Sequence, residues 1–118
     1  MDLNAYLERV KTEVTDPILE YMTEAEIDDF TAGDVARCGE LLKEYLTTLA
    51  ELGEPDDEAI MAAVEQVVLA LNELNEELDY ALIETMEREA IAALIQDAAV
   101  ECGLREVPDD VTEDWREW

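Results

Sequence analysis

One stretch of 22 residues, from Asp57 to Leu78, constrains the fold more than any other part of the sequence. Its apolar residues step by 4, 3, 4, 3 and 4 along the chain, which places them on one stripe of an α-helix: Ile60, Val64, Val67, Leu71, Leu74 and Leu78. Met61 and Val68 widen this stripe, so the helix needs neighbours on more than one side. The pattern therefore predicts that residues 57–78 form the central helix of a small bundle.

The rest of the chain has four more segments in which apolar residues recur at helical spacing: 2–14, 17–29, 35–52 and 86–102. Asp16-Pro17 separates the first two, because the residue before a proline avoids the helical region. Asp34 is positioned to cap the next helix, and Gly53 ends it where a left-handed residue is needed. The short connection after Gly53 predicts that helices 35–52 and 57–78 pack antiparallel.

These patterns predict an all-α fold, a compact bundle of four to five helices with a short C-terminal helical turn at residues 112–117. The length of 118 residues suits a single domain that spans residues 1–118. Cys38 and Cys102 both lie on the apolar side of a helical pattern, which predicts two reduced, buried thiols.

The net charge excludes several classes of partner. The chain has 33 acidic and 7 basic residues, a formal charge of −26, while its 49% apolar content argues against intrinsic disorder. We expect no direct binding to nucleic acid, because no patch of Lys or Arg exists to replace counterions. Anionic membranes repel such a chain. No apolar run is long enough to span a membrane and no basic leader is visible, so we expect a cytoplasmic protein.

The residue types leave little room for catalysis. The sequence contains no His and no Ser, which removes the common nucleophile–base pairs and every His-ligated metal site. Glu73/Glu76 and Glu84/Glu87 have the Glu-x-x-Glu spacing with which helical pyrophosphohydrolases bind Mg²⁺. After Glu73/Glu76, however, the only later Glu-x-x-Asp is interrupted by a proline. We therefore expect neither an enzyme nor a metal or other cofactor.

The distribution of acidic residues is more informative than their number. Between Glu44 and Glu87 there are 13 acidic residues and no Lys or Arg. The N-terminal end of the predicted central helix carries a turn cluster, Glu54, Asp56, Asp57 and Glu58; its C-terminal end carries Glu73, Glu76, Glu77 and Asp79, and Glu84 follows. Acids at a helix N-terminus are stabilising, whereas acids at the C-terminus oppose the macrodipole. The second cluster is therefore the stronger candidate for partner binding; a solvated face is the alternative.

Two asparagines, Asn72 and Asn75, and two tryptophans, Trp115 and Trp118, are further candidates. Asn75 lies at the edge of the predicted apolar stripe, and we expect its amide to bond backbone groups where the helix ends. Trp115 and Trp118 lie on one predicted turn, where they either pack against their own bundle or anchor a protein interface. Arg88 follows Glu84 by four residues, which predicts a local ion pair.

The last 50 residues resemble a widespread group of small, uncharacterised, acidic bacterial proteins. The shared pattern is Asn-x-Leu-Asn at residues 72–75, Leu-Ile-Glu-Thr at 82–85 followed by Arg88 and Glu89, and Trp-Arg-x-Trp at 115–118. The group looks like immunity proteins that neutralise toxins. The resemblance implies a bacterial origin and a non-enzymatic role, and it names no site.

Together these observations predict an acidic inhibitor, such as an immunity protein or an antitoxin-like factor, that binds a basic protein, for example a nuclease toxin. Its carboxylates would attract a cationic cleft and block it. A phage-encoded DNA mimic that inhibits a defence nuclease and a non-inhibitory acidic scaffold or dimerisation protein are the alternatives. The sequence is compatible with a monomer or a homodimer.

Overall fold

The computed structural model describes residues 1–118 and contains four helical rods and no β-strand, so the predicted all-α fold is confirmed. The first rod joins α1 (Leu3–Arg9), a π-helical segment (Val10–Thr15) and α2 (Asp16–Glu24). The other rods are α3 (Ala32–Glu51), α4 (Asp57–Glu77) and α5 (Thr85–Glu101). The molecule measures 44 × 27 × 20 Å. Residues 111–115 form hydrogen-bonded turns and not a regular helix.

The predicted break at Asp16-Pro17 is wrong, because the chain stays helical through this dipeptide. A proline inside an α-helix clashes with the carbonyl group four residues earlier. Here the π-helical segment ends at Thr15, directly before Asp16, and its turns are wider than those of an α-helix. The wider turn gives the proline ring room, so the rod continues to Glu24 where residues 17–29 were predicted.

The π-helical segment also keeps the buried side chains of the first rod on one side. Tyr6, Val10, Val14 and Ile18 are buried at steps of four residues. In an uninterrupted α-helix three such steps would turn the last side chain by about 120° from the first. The i→i+5 bonding of the π-helical segment reduces this rotation, and the segment packs against both α3 and α5.

Gly39 of α3 lets the first rod approach closely. It is buried, and a Cβ atom at this position would lie 3.0 Å from the Cγ2 atom of Thr15. Any larger residue would therefore push the π-helical segment away from α3. A glycine in mid-helix costs about 1 kcal/mol relative to alanine, and here the close contact explains its presence.

α3 begins three residues earlier than predicted, because Thr31 and not Asp34 is its N-cap. The Thr31 side chain accepts a hydrogen bond from the backbone N–H of Asp34 at 3.2 Å. The Asp34 carboxylate accepts one from the backbone N–H of Thr31 at 2.9 Å. This reciprocal capping box satisfies two amide groups that the first turn leaves free.

The prediction that residues 57–78 form the central helix is also wrong in its position. α3 and α5 each pack against all three other rods. α4 packs against α3 and α5 and makes no comparable contact with the first rod. α4 keeps an exposed stripe that includes Glu58, Glu65, Glu73 and Glu76, which a helix surrounded on all sides could not hold. The buried Tyr45 hydroxyl of α3 donates to the Ile95 carbonyl oxygen of α5 at 2.7 Å, which ties the two central helices together.

The helices are amphipathic, and none is both long enough and apolar enough to cross a membrane. The core contains 27 buried apolar residues contributed by all four rods and by the segments that follow α4 and α5. Among these segments, Leu82, Ile83, Leu104 and Val111 are buried. These two segments are therefore packed parts of the fold, which gives the surface groups they carry fixed positions.

Candidate functional site

Four exposed carboxylates that no cation neutralises lie at or just beyond the C-terminal end of α4 and are here named the anionic end: Glu73 and Glu76 on α4, Asp79 in the following turn and Glu84 at the N-cap of α5. None of them takes part in any of the seven ion pairs of the structure. The unpaired carbonyl groups of a helix C-terminus add further partial negative charge at the same place. The anionic end therefore concentrates negative potential at one end of a helix about 31 Å long.

Glu77 belongs to the same predicted cluster, but its carboxylate has an internal partner. Its Oε2 atom lies 3.1 Å from an Nη atom of Arg37 on α3, and both side chains are more than half exposed. An exposed pair of this kind contributes little to stability. It nevertheless occupies Glu77, which is therefore less available to a partner than Glu73 or Glu76.

The turn after α4 is held in a strained conformation. Asp79 and Tyr80 are consecutive non-glycine residues with positive φ angles of 54° and 62°. Such residues usually cost about 1 kcal/mol or more each. The Tyr80 backbone N–H donates to the Asn75 carbonyl oxygen at 2.7 Å, which closes the turn. The strained turn leaves the Tyr80 ring 53% exposed beside the carboxylates.

Asn75 fixes the chain on the far side of this turn. Its buried side-chain oxygen accepts a hydrogen bond from the Ile83 backbone N–H at 3.0 Å, as the position of an asparagine at a helix end predicts. Ile83 and Leu82 are themselves buried. Glu84, the next residue, is thus held at the same end of the molecule as Glu76.

The turn cluster at the other end of α4 is different, because two of its four acids have structural roles. The Asp56 carboxylate caps α4 by accepting from the Ala59 backbone N–H at 2.9 Å. The Asp57 carboxylate accepts from the backbone N–H groups of Arg105 and Glu106 at 2.9 and 3.0 Å. These two bonds hold the pKa of Asp57 below its usual value. Only the exposed Glu54 and Glu58 of this cluster remain free of such bonds.

The C-terminal tail is fastened to α4 by Asn72. The Asn72 amide donates to the Trp115 carbonyl oxygen at 2.8 Å and accepts from the Glu117 backbone N–H at 3.0 Å. Both tryptophans are half-buried and pack against the core. The Arg116 guanidinium lies 5.7 Å from the centre of the Trp118 ring and pairs with Asp110 at 3.2 Å.

The predicted ion pair between Glu84 and Arg88 is absent, and Arg88 has no acidic partner within 4.0 Å. Arg88 lines a polar groove on a different face of α5, together with Gln96, Asp110 and Arg116. This orientation leaves the Glu84 carboxylate unneutralised. The Glu-x-x-Glu pairs gain no third ligand, since no group of three or more acidic or thiol side chains is placed to hold a metal ion.

Sequence reasoning missed an apolar groove between α2 and the first turn of α5. The groove has a volume of about 480 Å³, and apolar atoms make up most of its lining. Its walls include Met86, which is 82% exposed, and Tyr21, which is 48% exposed. Met86 falls outside the apolar spacing of α5, and this irregularity was the one signal in the sequence that could have found it.

Comparison with known proteins finds no matching family model, no similar curated protein and no similar solved structure. The resemblance of the last 50 residues to small acidic bacterial proteins stays an expectation from the sequence. The functional argument therefore depends on the geometry and charge of the residues described above.

Proposed function

We propose that this protein binds a basic protein partner through the anionic end and acts as its inhibitor, in the manner of an immunity protein or antitoxin. The observation that carries the proposal is the set of unpaired, exposed carboxylates at Glu73, Glu76, Asp79 and Glu84. Five of the seven cations of the chain already form ion pairs with other acids: Arg9, Lys11, Arg37, Lys43 and Arg116.

The energetics of this end favour a binding role over a structural one. Acids at a helix C-terminus oppose the macrodipole by a few tenths of a kcal/mol each, and the left-handed Asp79 and Tyr80 add backbone strain. Neither feature stabilises the folded monomer. A cationic surface on a partner would offset the first of these costs, because it would neutralise the carboxylates that the fold leaves without a counterion.

The mechanism would be electrostatic capture followed by occlusion. A dense anionic surface raises the rate of encounter with a basic cleft, and this attraction weakens as salt screens the charges. A nuclease is one basic partner of this kind, since its cleft binds phosphates. Carboxylates that occupy the cleft would keep the nucleic acid out. Immunity and DNA mimicry share this chemistry and differ in the partner they meet.

The test compares two triple variants of equal charge. The site variant carries Glu73→Gln, Glu76→Gln and Asp79→Asn. The control variant carries Glu106→Gln, Glu113→Gln and Asp114→Asn, which are also exposed and free of ion pairs. Each variant removes three negative charges from the total of −26, so any difference between them reports position and not net charge.

Wild-type protein, site variant and control variant serve as baits in pull-downs from the source cell at low and high salt. We expect the wild type and the control variant to retain the same basic protein at low salt and to lose it at high salt. The site variant should retain much less. Equal retention by the two variants would place the binding site elsewhere, and an empty pull-down with the wild type would favour an acidic scaffold without a partner.

A further inference from the structure

We propose that the groove between α2 and the first turn of α5 holds an apolar side chain of the partner, presented by a helical segment whose other face carries Lys or Arg. This inference rests on the proposed function and adds the point of apolar contact and the chemistry of the segment that fits it. The anionic end would attract such a segment, and the groove would fix it.

The groove has the composition of a binding site for an apolar side chain. Val14 and Ile18 are buried behind it, and Pro17, Met86 and Ala90 contribute apolar walls. Met86 is 82% exposed, the highest exposure among the large apolar residues of the chain. A methionine side chain is flexible and polarizable, so it can close over apolar groups of different shapes. Apolar contacts buried at the centre of an interface supply most of its affinity.

The rim of the groove is uniformly acidic. Its charged residues are Glu13, Glu84 and Glu87, and no Lys or Arg is among the ten residues that line it. Glu13 is ion-paired with Arg9 outside the groove, whereas Glu84 and Glu87 make no ion pair. The groove between α1, α2 and α3 includes Lys11 and Lys43, and the polar groove on α5 includes two arginines. Charge complementarity therefore favours a segment with Lys or Arg beside its apolar residue at this groove in particular.

Glu84 connects the groove to the anionic end. It is one of the four unpaired carboxylates, it lines the groove, and it lies two residues before Met86. One basic helix could therefore contact both features at once. A second copy of this chain is a poor occupant, because two molecules with a charge of −26 repel each other.

The experiment uses two synthetic helical peptides of equal positive charge as probes. The Lys/Leu peptide has lysines on one face and leucines on the other, and the Lys/Gln peptide has glutamine at every leucine position. The protein is labelled with ¹³C at its methionine methyl groups, so that Met86 reports the groove. Met22 and Met61, which are partly buried outside this groove, serve as internal references.

We expect the Lys/Leu peptide to shift the Met86 methyl signal saturably and the Lys/Gln peptide to leave it unchanged. Met86→Gln should weaken binding of the Lys/Leu peptide about tenfold, which corresponds to about 1.4 kcal/mol, and should not change the weak binding of the Lys/Gln peptide. The site variant at Glu73, Glu76 and Asp79 should weaken both peptides. Because Met86 is so exposed, Met86→Gln should keep the wild-type melting temperature.

The outcomes separate the two proposals. An unmoved Met86 signal, or equal binding of the Lys/Leu peptide by wild type and Met86→Gln, would overturn the groove proposal. If the site variant still weakened both peptides, the anionic end would keep its role. Sedimentation without peptide tests the other occupant: a dimer that strengthens with salt and is lost in Met86→Gln would assign the groove to a second copy of the chain.

Discussion

Asn72 binds the backbone on both sides of Arg116: its amide donates to the Trp115 carbonyl oxygen, 43 residues further along the chain, and its oxygen accepts from Glu117. One buried side chain in α4 therefore fixes the C-terminal tail. Trp115 and Trp118 are the only tryptophans of the protein, so tryptophan fluorescence reports on this tail alone.

Asn72→Ala should release the tail while leaving the four rods folded. The substitution removes two hydrogen bonds from a site that is 5% exposed, which should lower the free energy of unfolding by about 1–3 kcal/mol. We expect a red-shifted emission maximum and faster acrylamide quenching, with helical circular dichroism unchanged. Asn4→Ala, at an exposed position of α1, is the control. An unchanged emission maximum in Asn72→Ala would contradict the fastening role.

Asp79→Gly should stabilise the protein although it removes a candidate binding residue. Glycine adopts a positive φ without steric cost, so the free energy of unfolding should rise by about 0.5–1 kcal/mol. Glu76→Gly, within the regular part of α4, should lower it by about 1 kcal/mol. Urea unfolding of both variants measures the two effects. A loss of stability in Asp79→Gly would show that the left-handed turn is not strained.

Asp57→Asn should lower the melting temperature at neutral pH, and its effect should vanish in acid. The pKa of Asp57 is lowered in the folded state by the amides of Arg105 and Glu106. Its contribution is therefore complete above the unfolded pKa of about 3.9 and is lost as the pH falls through the lower folded value. Thermal melts of both proteins between pH 7 and strong acid measure this difference.

Glu58→Gln is the matched control for this pH series, because it removes a neighbouring charge that makes no ion pair and no backbone bond. It should lower the melting temperature at neutral pH only slightly, through the lost interaction with the macrodipole of α4, and by less than Asp57→Asn does. If the melting temperature of Asp57→Asn stayed below that of the wild type by a constant amount into strong acid, the carboxylate charge would not be what holds the segment at residues 105–106.

The two cysteines should differ in their reactivity toward a disulfide reagent. Burial raises the pKa of both thiols, that of fully buried Cys38 to about 12. Cys38 then has almost no thiolate at pH 8, which is the reactive form. We expect slow modification of Cys102 in the folded protein and modification of Cys38 only after unfolding. Cys102→Ala should abolish the slow reaction. Rapid modification of two thiols in the native state would contradict the predicted protection of Cys38.

Sequence periodicity was sufficient for the parts of the fold that depend on local patterns. The apolar stripe from Ile60 to Leu74 and the glycine after α3 predict helices and an antiparallel neighbour, and the structure has both. The wrong boundary at Asp16-Pro17 arose because the residue before a proline avoids the helical region only as a preference, and Asp16 adopts helical angles of φ −62° and ψ −45°. No residue pattern announces the π-helical segment that precedes it.

The candidate site was predictable only in its charge. The sequence placed Glu73, Glu76 and Asp79 at a helix end. Which acids already have a hydrogen-bond or ion-pair partner depends, however, on residues that are distant in the sequence. Asp57 binds amides 48 and 49 residues away, and Glu77 pairs with Arg37. The groove at Met86 brings together two rods whose contact only the tertiary structure defines. Long-range pairing therefore separates the structural carboxylates from the free ones.

The π-helical segment makes the number of residues in the first rod as important as their identity. Each residue of an α-helix turns the chain by about 100°. Deletion of one residue within Val10–Thr15 with a return to α-helical bonding would leave a rotation of about 1100° between Tyr6 and Ile18, which is close to three full turns. The two ends of the rod would then keep their buried faces toward α3 and α5. A single deletion in this segment should therefore disturb the core less than a change that forces α-helical bonding at the present length.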